Sequence, residues 1–175
     1  MSVSVLLLRG INVGGRNALP MAELRAILEG LGAEDVATYI QSGNAVFRGE
    51  VSAEAIADGI EAAKGFRPQA LVMSCERLEK VMASNPFSKE GEADGKSVHA
   101  WFFDAAPKAL EDDTLALATK TERVEVTDTA AFLHAPEGIG RSRLAATLEK
   151  ALGVPATARN WRTVMAIAKL VEERR

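Results

Sequence analysis

Three arginine-bearing stretches carry the residue types that hold anions. The first, Arg9-Gly10-Ile11-Asn12-Val13-Gly14-Gly15-Arg16-Asn17, follows the apolar run Val3–Leu8. Glycines there let backbone N–H groups approach a ligand, and the planar fork of arginine binds phosphate or carboxylate through two hydrogen bonds. Gly10 and Gly15 have the G-x-x-x-x-G spacing of a phosphate-binding P-loop, but Arg16 replaces its lysine and Asn17 its magnesium-binding Ser or Thr. Pro20 also starts the following helix several residues late, and the glycines do not have Rossmann spacing, so a nucleotide triphosphatase is disfavoured. The competing reading is that the glycines only turn the chain and Arg9 pairs with a nearby acid.

The second stretch, Glu137-Gly138-Ile139-Gly140-Arg141-Ser142-Arg143, leads into a helix with Ser142 as its cap. Free N–H groups and the helix dipole favour an anion at such an end, whereas arginine there opposes the dipole. Residues that break a local rule tend to serve a site. The third, Thr157-Ala158-Arg159-Asn160-Trp161-Arg162-Thr163-Val164, opens the last helix, with Arg159, Asn160 and Arg162 beside its start. Trp161 falls on a stripe with Val164, Ala168 and Val171 and reads as core; stacking on a base is the competing role.

Other reactive residue types have less behind them. Cys75 follows Ser74 at a helix start with no histidine near it in sequence, which reads as a buried thiol. His99 in a strand and His134 at a strand end lack the partners of a catalytic triad. One cysteine and two histidines leave a zinc site short of ligands, so neither a metal nor a cofactor is expected. The acidic residues keep helix-surface spacing and form no paired-carboxylate motif.

These stretches need elements to hold them. The chain has 175 residues, 47% hydrophobic and 26% charged, enough for one ordinary domain or two small ones. Its net charge of -3 argues against a surface that coats nucleic acid, so any anion site must be local. The N-terminal apolar run is too short to span a bilayer and lacks signal-peptide features, and the single cysteine suits a reducing compartment; a cytoplasmic location is expected.

Val3–Leu8 reads as a central strand, and Met21, Leu24, Ile27, Leu28 and Leu31 as one helical stripe ending at Gly32. Val36–Ile40 and Ala45–Phe47 read as a hairpin around Gln41-Ser42-Gly43-Asn44. A helix capped by Ser52 and closed by Gly65, then a strand over Ala70–Met73, complete β-α-β-β-α-β. A short helix over Cys75–Ala83 follows, and the polar residues 88–97 are expected to link the halves, 1–87 and 98–175.

The order then repeats: a strand at Val98–Phe103, a helix at Pro107–Leu117, a hairpin of Val124–Val126 and Ala131–Leu133, and a helix capped by Ser142 and closed by Gly153. Where a last strand is due the chain offers Val154-Pro155-Ala156 and a long helix from about Asn160. The expected fold class is α+β, two ferredoxin-like β-α-β-β-α-β sandwiches, either separate or sharing elements, with a C-terminal helix.

Taken in order, the segments LLRGINVGG, PMAELRAILEGLG, TYIQSGNAVF, SNPF, GIGRSRL and TARNWRTV resemble the bacterial domain of unknown function 1697 family over nearly the whole chain. The resemblance implies two intertwined ferredoxin-like units and no established activity. It also implies recurring polar residues at Arg9, Asn12, Gly14, Gly15, Asn17, Ser42, Asn44, Arg141, Ser142, Arg159 and Asn160. The chain departs from the family at His134 and Ala135, where aromatics are frequent, and at Arg162, where a smaller polar residue is usual; both weaken a stacking role for that strand end.

With Arg16 and Arg143 added, these residues form the candidate site. The leading expectation is a binding protein for a phosphate-bearing ligand, a nucleotide or a short stretch of nucleic acid. An enzyme acting on a phosphorylated or carboxylated small molecule, a transferase or hydrolase, and a protein-interaction module are the alternatives. The first and third strands of each half are expected to be parallel neighbours, so that the Arg9 and Arg141 loops leave sheet edges of one kind, and if the halves interlock both loops could reach one basic cleft.

Overall fold

The computed structural model describes residues 1–175. The chain forms two compact units, one of Met1–Glu79 with Ala166–Arg175 and the other of Lys80–Met165.

In the first unit, β1 (Val3–Arg9), α1 (Met21–Gly30), β2 (Glu34–Tyr39), β3 (Asn44–Arg48), α2 (Ala53–Lys64) and β4 (Gln69–Ser74) follow in ferredoxin-like order. The sheet order is β2-β3-β1-β4, and every pairing is antiparallel. Both faces of β1 are buried, which explains its unbroken apolar run. Leu6 and Leu8 pack with Phe47 against Leu24 and Leu28 of α1 and Ile56 and Ile60 of α2. Each such side chain contributes roughly 1.5–3 kcal/mol by leaving water. Ser52 caps α2 by accepting from Ala55 N–H, and Gly65 closes it. The C-terminus is pinned inside this unit: Arg174 donates to the Asp35 carbonyl at 2.7 Å, and Arg48 donates to the Arg174 carbonyl at 3.0 Å.

Next come α3 (Cys75–Ala83) and α4 (Ser88–Ala93). Residues 88–97, expected as a polar linker, instead contain this helix, and Gly91 and Ser97 are buried. A Cβ on Gly91 would stand 2.5 Å from the Trp161 ring. The segment is polar because one side faces water, and its glycine marks where it packs.

The second unit continues with β5 (Val98–Phe102), α5 (Asp112–Leu115), β6 (Arg123–Val126), β7 (Ala130–His134), α6 (Arg143–Leu152) and β8 (Thr157–Asn160), and α7 (Trp161–Glu172) starts in this unit and ends in the first. Two expectations change. The helix anticipated at Pro107–Leu117 is only the single turn α5, and the last strand is present as β8, paired antiparallel to β5. The sheet order, β6-β7-β5-β8, reproduces that of the first unit. Trp101, Phe103 and Leu133 pack on Leu144, Leu148 and Leu152 of α6. No helix is long and apolar enough to cross a membrane.

The antiparallel pairing also corrects the edge argument. β1 and β3 are neighbours but run in opposite directions, as do β5 and β7. The Arg9 loop leaves the C-terminal end of β1, whereas the Arg141 loop leaves the C-terminal end of β7, which corresponds to the opposite end of such a sheet. Each loop therefore belongs to its own unit.

Candidate functional site

Strand register fixes which loops meet. In the first unit Leu7 pairs with Asn44 and Arg9 with Gln69, so the β1–α1 loop, the β2–β3 turn and the α2–β4 loop lie at one end of the sheet. Arg9, Asn12, Gly14, Gly15, Arg16, Asn17, Ser42 and Asn44 are all at this end.

The β1–α1 loop is a miniature hairpin. Arg16 N–H donates to the Val13 carbonyl and Asn12 N–H to the Asn17 carbonyl, both at 3.0 Å. Gly14 and Gly15 between them have φ of 58° and 73°, the two positive values that a type I′ turn requires. Asn12 and Asn17 also take positive φ, which asparagine tolerates. The Asn12 amide donates to the Leu19 carbonyl at 2.9 Å and the Gln41 carbonyl at 2.8 Å, and its oxygen accepts from Leu19 N–H. One side chain thus ties the hairpin to the segment leading into α1 and to the β2–β3 turn. Asn17 donates to the Gly10 carbonyl, and Asn44 donates to the Tyr39 carbonyl and the Ser42 hydroxyl. The asparagines shape the loops; the arginines are what the loops present.

Arg16 is exposed and makes no ion pair, while Arg9 reaches Gln69 at 3.5 Å. Of the other cations here, Lys64 pairs with Glu23 at 2.6 Å and Arg67 pairs with Asp58. No Asp or Glu occurs between Arg9 and Ala22 or between Val36 and Gly49. This end can therefore hold an anion by charge and by the N–H groups of an exposed glycine turn.

The second unit gathers the other candidates in the same way. Val98 pairs with His134 and His99 with Asn160, so the β7–α6 loop and the β8–α7 junction share one sheet end. Ser142 caps α6 by accepting from Ala145 N–H, and Asn160 caps α7 by accepting from Thr163 N–H at 2.9 Å. Arg141 and Arg143 are exposed, and the first turn of α6 has no acid. Arg159 is buried, its guanidinium donating to the Ala158 carbonyl; burial lowers its pKa to about 10, which leaves it charged at neutral pH. Trp161 is core, edge-on to Phe132 at 6.5 Å.

Other arrangements escaped the sequence reading. Arg123 lies 5.0 Å over the Phe87 ring, donates to Glu90 at 2.8 Å, and reaches His134 Nδ1 at 3.3 Å. Since arginine only donates, that nitrogen accepts. Partners of Arg123 come from two segments distant from it in sequence, the start of α4 and the end of β7, and nothing in their spacing announces the cluster. His99 is buried with Nδ1 unpaired, and burial lowers its pKa to about 4. At the opposite end of the first sheet, Ser2, Ser4, Glu50, Ser52, Ser74 and Glu76 line part of a groove of about 670 Å³. Cys75 is buried at the start of α3. No three His, Cys, Asp or Glu side chains are grouped so as to hold a metal ion.

The family described as Protein of unknown function (DUF1697) matches residues 1–132. The chain belongs to this DUF1697 family. A conserved bacterial protein of Streptococcus pneumoniae, SP0830, has a similar structure, with a TM-score of 0.65 and 26% identity over 97% of this chain and 98% of that one. No curated protein matches the chain. The match to the DUF1697 family takes in the whole arginine–glycine hairpin and the β2–β3 turn, whereas the Arg141 and Arg159 segments lie beyond the matched residues.

Proposed function

We propose that this DUF1697 protein binds a phosphate-bearing ligand, a nucleotide or a short stretch of nucleic acid, at the arginine–glycine end of its first unit. The observation that carries this reading is the meeting of the β1–α1 hairpin and the β2–β3 turn, two loops free of acidic residues, around Arg9 and Arg16. Four other arginines, Arg67, Arg123, Arg174 and Arg175, each pair with a carboxylate; Arg16 does not. An exposed, unneutralised guanidinium on a well-fixed turn can receive an anion with little reorganisation. Arg141 and Arg143 at the start of α6 offer an anion seat in the second unit on the same argument.

A thermal-shift screen of nucleotides, inorganic phosphates and short RNA and DNA at low and high salt tests this. Stabilisation by at least one phosphate-bearing ligand is expected, reduced by Arg16→Glu, and a steep loss with salt would identify a multi-phosphate ligand. A panel without any stabilising member would remove the proposal.

A further inference from the structure

The same end of the first unit exposes two β-branched side chains that its fold does not need there. Val13, on the hairpin beside the glycine turn, is 64% exposed, and Ile40, at the start of the β2–β3 turn, is 51% exposed. Ile40 has a φ of 49°, a left-handed conformation that is costly for a β-branched residue. The neighbouring Asn12–Gln41 hydrogen bond fastens the two loops to each other. The strained backbone therefore carries an apolar side chain that stands in water at the same sheet end as Arg9 and Arg16. Such local strain collects at functional sites.

The shape limits what can bind. Small-molecule sites are concave and enclose most of their ligand. Here Val13 through Ala18 are all exposed, and a Cβ built on Gly14 or Gly15 would meet nothing within 4 Å. A projecting finger of this kind touches an extended partner from outside. The partner must offer negative charge to Arg9 and Arg16 and an uncovered apolar or planar face to Val13 and Ile40. Single-stranded nucleic acid has both, phosphates along its backbone and bases free of a partner strand, whereas a duplex turns its base faces inward.

We infer that the ligand of this end is single-stranded nucleic acid, with phosphates on Arg9 and Arg16 and a base against Val13 and Ile40. This rests on the anion-binding reading above and narrows it.

Fluorescence anisotropy of the full chain with labelled single strands, the matching duplex, inorganic polyphosphate and polyglutamate tests it. The double variant Val13→Ser, Ile40→Gly removes the apolar contacts, and its glycine relieves the strain at residue 40, so folding is retained. It is expected to bind single strands about tenfold more weakly, as for the loss of part of the apolar area that two aliphatic side chains bury. Its affinity for polyphosphate should not change, while Arg16→Glu should weaken both. If the double variant binds single strands as well as the parent does, the base contact is overturned and anion binding stands. Absence of binding to single strands and to polyphosphate overturns both. Equal affinity for the duplex, or comparable affinity for polyglutamate, overturns the single-strand assignment and points to a duplex or an acidic protein.

Discussion

Replacing Gly43 with alanine is expected to destabilise the first unit by about 3 kcal/mol and to weaken ligand binding with it. Gly43 sits in the β2–β3 turn at φ 94°, and its carbonyl accepts from Leu8 N–H at 2.8 Å. A Cβ there would lie 2.6 Å from Leu8 Cβ and 2.9 Å from Ile11 Cδ1. Both neighbours are buried, at 0% and 2% exposure, so neither can swing into solvent. The left-handed backbone costs roughly 1–2 kcal/mol for a residue with a Cβ, and overpacking a buried site adds about 1–3 kcal/mol. Gly15→Ala supplies the comparison, since φ is also positive but nothing stands within 4 Å. Its loss should be confined to roughly 1–2 kcal/mol, the backbone part alone. Denaturant unfolding of the two variants separates close approach from backbone strain, and equal losses would show that the turn has room to relax.

Acid should weaken the second unit through His99. The histidine is 9% exposed, its Nδ1 has no partner, and burial alone lowers its pKa from 6.5 to about 4. Above pH 6.5 the imidazole is neutral whether the chain is folded or unfolded, and it adds no pH dependence. As the pH falls from 6.5 towards 4, the unfolded chain takes up a proton that the folded chain refuses, so stability is lost. At 1.36 kcal/mol per pH unit, the loss approaches about 3 kcal/mol by pH 4. His99→Leu, which keeps a similar volume without a titrating group, should remove this component. Unfolding free energies measured across that range for parent and variant should diverge as the pH falls, and parallel curves would show that His99 is solvated.

Much of the architecture can be read from the residues because burial imposes simple periods on them. The run Val3–Leu8 becomes a strand covered on both faces, and Leu24 and Leu28 mark the buried side of α1. Ser52, Gly65, Ser142 and Gly153 cap the helices they delimit. Three elements were hidden for different reasons. β8 is four residues long and carries Arg159, whose charge conceals a buried strand position. α4 has no apolar stripe, since it packs through the absence of a side chain at Gly91. The apolar residues of Pro107–Leu117 suggested a helix, but Leu110 and Leu117 pack on the α6 side of the core from a chain that is helical only over α5.

The polar residues of the candidate site were legible as important, but not in their role. Asn12, Asn17 and Asn44 have the amide chemistry of ligand binders and spend it on backbone carbonyls. Ser142 and Asn160 spend theirs on helix ends. An asparagine that holds a turn and one that holds a ligand look alike in sequence, because both need a donor and an acceptor a fixed distance apart. Ile40 and Val13 went unnoticed because an exposed aliphatic residue has no sequence signature of its own.

The most direct test of the account is to follow backbone amide chemical shifts of the isotope-labelled protein while inorganic pyrophosphate, and separately a short single-stranded RNA, is added. The account predicts that the largest changes for both fall on Arg9–Asn17 and on the turn from Ile40 to Gly43, with the groove around Ser4 and Ser52 unmoved. Changes centred on that groove, or none at any concentration that stabilises the fold, would contradict it.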